Sequence, residues 1–221
     1  MNIETLELCS RDLVLQSKFY AEVLGLQCAP VEDVLTIAAG VTTLVFRERR
    51  DLESRYHFAF NIPENRIAEA ICWLASRGVA LIPDESGETV HEFKDWNALA
   101  IYFFDADGNI LEFIARHELA NGVSQGQPFS AGEILNLSEI GVSSPNVIET
   151  ARQLRDEFGL IPYRQVGEAF GPVGDANGMF ILVPSGRIWY PNTSVPAKQL
   201  PLRMAFRNDL GRRFVFDQWD T

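Results

Sequence analysis

Apolar and polar positions follow one order several times along this chain. Residues 3–10 are apolar with polar interruptions, and the spacing then turns helical over 13–24, with Ser10 or Asp12 placed to cap the helix and Gly25 to end it. Residues 31–37 are extended, Gly40 turns the chain, and 41–46 alternate loosely as another strand. The pattern predicts strand, helix, strands. The charged run 47–55 reads as a solvated connector.

The same order recurs twice. Residues 56–62 predict a strand, Pro63 and Glu64 start a helix with Ile67, Ala70, Ile71 and Leu74 on one face, and Gly78 closes it. Strands at 79–82, 91–93 and 98–104 follow, then the turn Asp105-Ala106-Asp107-Gly108-Asn109 and a strand over 110–115. Residues 121–132 have the composition of a linker. Beyond it, 137–142 predicts a strand, Pro145-Asn146 a helix start, 147–158 a helix and Gly159 its stop. Strands are expected near 163–166, 179–183 and 187–190, with GPVGDANG at 171–178 as a hairpin loop. A fourth copy begins at 202–206 without room for its helix.

Repetition at about 50 to 60 residues points to units that each carry an apolar sheet face they cannot bury alone. The fold class expected is α+β: repeated βαβββ units forming curved mixed sheets with helices outside and a concave inner face for a ligand. Residues 1–118 would hold two units closing on each other, and 133–221 a third with a truncated strand-bearing tail. The odd unit leaves Phe180, Ile181, Leu182, Val183, Trp189 and Tyr190 without a complete internal partner, which predicts a homodimer that Trp189→Glu dissociates if that side chain faces the partner; the competing arrangement is a monomer in which the third unit lies back on the first two and the tail strand shields the rest.

Composition narrows the function classes. A chain of 221 residues buries about 70% of its unfolded surface, enough for a real core. Its 30 Asp and Glu against 19 Lys and Arg give a net charge of −11, which repels phosphate backbones and argues against nucleic acid. The same field would draw a cationic small molecule. Cys9, Cys28 and Cys72 form neither a disulfide framework nor a CxxC motif. With acids at the N-terminus and no run long enough for a membrane span, a soluble, cytoplasmic protein without membrane contact is expected.

LELCSRDLVLQSKFYAEVLGL at 6–26, YHFAFNI at 56–62, IYFFDADGNILEF at 101–113 and EIGVSSPNVIETARQLRDEFGLIPY at 139–163 resemble the vicinal oxygen chelate superfamily. It includes glyoxalase I, extradiol dioxygenases and the fosfomycin and bleomycin resistance proteins. The resemblance covers nearly all of 3–190 and is specific for the fold rather than for a reaction. It implies metal ligands on the first strands of two paired units and a Glu on the strand after the DPDGN turn. His57 matches one first-strand position and Glu112 the last, while Thr5 stands where the other His usually does.

Strand alternation marks the same two residues, because a carboxylate at 112 between Leu111 and Phe113 needs a proton, a cation or a metal when buried. An ordinary hydrogen-bonding His57 and a solvated Glu112 are the competing reading. Glu139 falls at the first-strand position of the third unit and reads as a solvated or Arg-paired residue, or as part of a second site across units for which the truncated fourth copy supplies no matching His and Glu. Thr5, Trp96, Asn97 and Tyr102 are the candidate substrate-pocket residues, with Trp96 equally able to pack on the sheet. The Asp105 to Asn109 run lacks a calcium-loop Glu and reads as a turn. No catalytic residue is assigned. The expected function is a glyoxalase, bleomycin resistance or dioxygenase superfamily protein acting on a small molecule, with Fe, Mn, Zn or Ni and a dioxygenase- or lyase-like reaction. The alternative is a non-catalytic protein that binds an antibiotic or metabolite.

Overall fold

Helix caps and strand alternation shape each repeat locally. In the computed structural model, which describes residues 1–124 and 126–219, the first unit is β1 (Asn2–Ser10), α1 (Leu13–Lys18), β2 (Gln27–Val31), β3 (Val34–Ala39) and β4 (Thr42–Glu48). The second is β5 (His57–Ile62), α2 (Ile67–Ser76), β6 (His91–Phe93), β7 (Ala98–Phe104) and β8 (Ile110–Arg116). The third is β9 (Asn136–Ser144), α3 (Val147–Phe158), β10 (Gly171–Asp175) and β11 (Gly178–Pro184), and the tail is β12 (Leu202–Arg207) and β13 (Arg213–Asp217). Asp12 caps α1 by accepting from the amides of Val14 and Leu15, both at 3.0 Å. Asn146 caps α3, which ends at Gly159 in the left-handed region with φ 72°.

Several predicted strands come out differently. Residues 31–37 belong to a hairpin of β2 and β3, while 79–82 contribute only a bridge from Leu81 to Phe103. GPVGDANG supplies β10 as well as the turn into β11. Residues 163–166 form no strand. Residues 187–190 form none either, because Gly186 in the left-handed region and Pro191 and Pro196 bend the segment across the sheet, leaving a single bridge from Ile188 to Pro196.

The strands form a six-stranded sheet in the order β13-β12-β1-β4-β3-β2 and a seven-stranded sheet in the order β10-β11-β9-β5-β8-β7-β6. In each unit the first and last strands are parallel neighbours, β1 with β4, β5 with β8 and β9 with β11. Parallel neighbours need a crossover, which in each unit runs through the helix. Between units the joins are antiparallel: β5 lies against β9, and β1 against β12. Hydrogen bonding thus joins unit two to unit three and unit one to the tail, in place of the pairing of units one and two anticipated from chain order.

One apolar cluster spans both sheets and the helices; Phe180 of β11 meets Phe206 of β12 across it with ring centroids 6.0 Å apart. A second cluster lines the concave face of the seven-stranded sheet, covered by Trp189, Val195 and Ala197 of the 185–201 segment. Phe180, Ile181, Leu182, Val183 and Trp189 are therefore buried within one chain. Most of the apolar surface on which the homodimer expectation rests is thus covered by the chain itself, while Tyr190 stays exposed. No helix among the described residues is long and apolar enough to cross a membrane.

Asp105 ties the two sheets together through the turn between β7 and β8. Its carboxylate accepts from Gln16 Nε2 at 2.8 Å, Tyr20 Oη at 3.1 Å, Asn109 Nδ2 at 2.8 Å and the amides of Asp107 and Asn109. Burial still pushes its carboxyl up to about 6. Replacing Asp105 with alanine strands several buried donors, each costing about 1–3 kcal/mol. Thermal or urea unfolding is expected to show a loss of about 3 kcal/mol or more; a loss below about 1 kcal/mol would mean that water replaces the carboxylate without cost.

Candidate metal centre

On β5 the side chains of His57 and Ala59 take the concave face, while Phe58, Phe60 and Ile62 enter the main core. Register does the rest: Ala59 stands opposite Glu112 of β8 on one side and opposite Glu139 of β9 on the other. Two carboxylates thereby flank one methyl group, a step along the strand from His57. His57 Nε2 lies 3.7 Å from Glu112 Oε2, and one ligand atom from each of His57, Glu112 and Glu139 lies within 4.8 Å of the others. All three residues are buried.

His57 Nδ1 lies 3.3 Å from the carbonyl of Ile110. A carbonyl only accepts, so Nδ1 carries the hydrogen and Nε2 turns a lone pair toward Glu112. Burial lowers the imidazole pKa to about 4, which keeps the ring neutral. Burial raises Glu112 well above the ordinary carboxylate range, and the charge of Glu139 adds to this against Arg116 and the Tyr102 hydroxyl. Glu139 is also raised by burial and is opposed by Arg116, whose Nη2 donates to it. Arg116 is fully buried, its Nε donates to Asn61 Oδ1 at 3.3 Å, and its Nη1 has no hydrogen-bond partner among the described residues.

Two carboxylates against one guanidinium leave one negative charge in a buried site. A proton or a cation must balance it. Ligand atoms 3.7 Å apart can both lie about 2 Å from one ion. Two carboxylates and a neutral imidazole form a donor set suited to Mn, Fe, Zn or Ni, so the residues present fit a divalent ion.

Above the cluster is a cavity of about 270 Å³. Trp96, Tyr102, Phe170 and Trp189 form much of its wall, with Arg187 also lining it. Trp189 is seated on Gly141, where an added Cβ would come within 2.5 Å of its ring, and it lies 5.1 Å from the His57 ring centroid. Tyr190, also in the wall, has its hydroxyl 2.8 Å from Nδ1 of the buried His91.

Of the residues singled out from sequence, His57, Glu112, Trp96 and Tyr102 lie on this cavity. Thr5 does not: it sits in β1 of the other sheet, opposite Thr43 and Ala205. Because unit two pairs with unit three, the first-strand residue brought to His57 is Glu139, the counterpart of Thr5. Asn97 is also away from the cavity, exposed at φ 46°, with its carbonyl accepting from the His117 amide. His117 is partly exposed, 3.6 Å from Glu64. Sequence reasoning missed Arg116, although strand alternation puts residues 112, 114 and 116 on one face. Arg187 carried no local signal at all.

No protein-family model matches the chain, and no curated protein does. Solved structures do. A candidate dioxygenase from Bacillus subtilis is 17% identical with a TM-score of 0.64, covering 98% of this chain and 84% of its own. A glyoxalase I variant from Zea mays is 13% identical with a TM-score of 0.58, covering 91% and 73%. With the repeated units and their curved sheets, these likenesses identify the fold as that of the vicinal oxygen chelate superfamily.

Proposed function

We propose that the chain is a small-molecule enzyme of the vicinal oxygen chelate type, with a divalent ion on His57, Glu112 and Glu139 and a dioxygenase- or lyase-like reaction in the cavity above them. The observation that carries this reading is the convergence of three buried ligand atoms at the base of an aromatic-lined cavity. The names of the Bacillus subtilis and Zea mays neighbours support the reaction classes. When bound, the ion supplies Lewis acidity to oxygens of the small molecule. The chain's own part is positional. Ile110 holds the His57 tautomer, Arg116 orients Glu139, and Tyr102 hydrogen-bonds Glu112. Trp189 and Trp96 exclude water, and His91 holds the Tyr190 hydroxyl at the cavity wall.

Protein purified without chelators is expected to carry about one equivalent of a first-row divalent ion, or to take up Mn²⁺ when it is added. His57→Ala and Glu112→Gln are each expected to weaken Mn²⁺ binding by about 100-fold in calorimetry. Less than about 0.1 equivalent, with no uptake of Fe, Mn, Zn or Ni, would count against the metal.

One observation favours the second reading, a metal-free binding protein. With Arg116 paired to Glu139 and a proton on Glu112, whose pKa is raised, the charge of the site closes without an ion. An aromatic ligand that raises the melting temperature of the metal-free protein, while metals shift nothing, would select this reading.

A further inference from the structure

Arg187 is the informative residue. The chain has more acids than bases, and its exposed arginines are widely paired: Arg152 with Glu149, Arg203 with Asp217, and Arg207 and Arg213 with Glu4. Arg187 has no carboxylate within ion-pair distance among the described residues. Its Nη1 donates to the carbonyl of Ala169 at 2.7 Å, and its guanidinium carbon lies 5.4 Å from the Phe170 ring centroid. A guanidinium has five N–H donors, so four are open to solvent or to a ligand in the cavity. Arg187 is exposed at the rim of the cavity, where partial burial of its guanidinium lowers its pKa.

The charge inside the cavity differs in sign from the charge of the whole chain. Two carboxylates, Arg116 and a divalent ion would make the base singly positive; without an ion, Glu139 remains paired with Arg116. Arg187 adds a positive charge at the cavity wall in either state. The net charge of −11 acts at long range and is screened within about 10 Å at 0.1 M salt, whereas Arg187 acts at contact. Aromatic walls would attract a cation through their ring faces, but the guanidinium already lies near Phe170 and repels a second one. The cationic ligand expected from overall charge is therefore disfavoured at the site itself.

The walls select shape. Trp96 and Phe170 have ring centroids 6.1 Å apart, and Trp189 covers the His57 side. A volume of about 270 Å³ lies near the lower end of the roughly 300–1,000 Å³ of ligand sites, which limits the ligand to a small one.

We propose that the cavity takes a small, flat aromatic anion, its ring against Trp96, Phe170 and Trp189 and its anionic group on Arg187. This rests on the cavity being the small-molecule site of the reading above, and it fixes the charge class of the ligand whether or not an ion is bound.

Three probes of one shape test it: 2-naphthoate, 2-naphthalenemethanol and 2-naphthylmethylamine, titrated into chelator-treated protein and followed by calorimetry and tryptophan fluorescence. Naphthoate is expected to bind about tenfold more tightly than the alcohol, with the amine weakest. Arg187→Gln should remove the preference and Arg187→Glu should turn it toward the amine. Equal binding of the three, tightest binding of the amine, no binding of any at millimolar concentration, or a naphthoate preference that survives Arg187→Gln would each overturn the proposal. A parallel Mn²⁺ titration separates the two readings. Loss of Mn²⁺ binding with the naphthoate preference intact removes the metal and leaves the anion site; Mn²⁺ binding with no naphthoate preference does the reverse.

Discussion

Replacing Arg116 with leucine is expected to lower stability by about 3–5 kcal/mol at pH 8, because it leaves Glu139 and Glu112 buried without their cation. For a chain of this length the melting temperature should fall by about 10 °C. The loss should depend on pH with a definite sign. Burial already raises both carboxyls above the ordinary glutamate range in the folded state, and removing the guanidinium takes away the charge that holds them down. A raised folded pKa contributes stability that is present below the unfolded value and lost as pH rises through the folded one. The variant should therefore lie nearest to the parent near pH 5 and furthest from it at pH 8. Mn²⁺ should restore more stability to the variant than to the parent at pH 8, since the ion supplies the missing positive charge. Arg116→Lys should recover part of the loss. Urea unfolding at the two pH values, with and without Mn²⁺, measures all of this; a loss independent of both pH and metal would mean that Arg116 matters only for its packing against Trp96 and Tyr163.

Trp189→Glu is expected to cost about as much for a related reason. The indole is buried, seated on Gly141 and beside His57. A glutamate there leaves a void and points a third carboxylate toward Glu112 and Glu139, for an expected loss of about 3–5 kcal/mol. The tryptophan fluorescence of the folded state should change with it. Solution mass is the discriminating measurement, because a side chain buried within one chain can destabilise the fold without changing the mass. A variant that keeps its melting temperature but falls from about twice 24.8 kDa to 24.8 kDa would place Trp189 in an interface after all.

Local features carried far in the sequence. The α3 helix runs over Val147–Phe158 between Asn146 and Gly159, as cap chemistry and periodicity predict. His57 and Glu112 were legible because each is a titratable residue at a strand position whose neighbours are apolar, and the resemblance marked the same two. Glu139 was legible only as a position: its strand matched the repeat, but nothing local distinguishes a ligand from a solvated glutamate. Thr5 and Asn97 were misplaced for different reasons. Thr5 followed from assuming that neighbouring units pair. Asn97 followed from adjacency to Trp96, yet a left-handed backbone between the two turns their side chains apart.

Sequence alone determined what depends on a few consecutive residues: the repeat, the helix ends, and which side chains share a strand face. Those follow from backbone sterics and from the two- and 3.6-residue periods. Tertiary structure alone decided which strands lie side by side, because that choice depends on burying whole sheet faces between segments distant in the chain. Pairing β5 with β9 brought Glu139 to His57 and Glu112, Arg116 to Glu139, and the 185–201 segment over the cavity. The contacts that assemble His57, Glu112, Arg116 and Glu139 join residues at least twenty-three positions apart, a distance over which no local periodicity carries information.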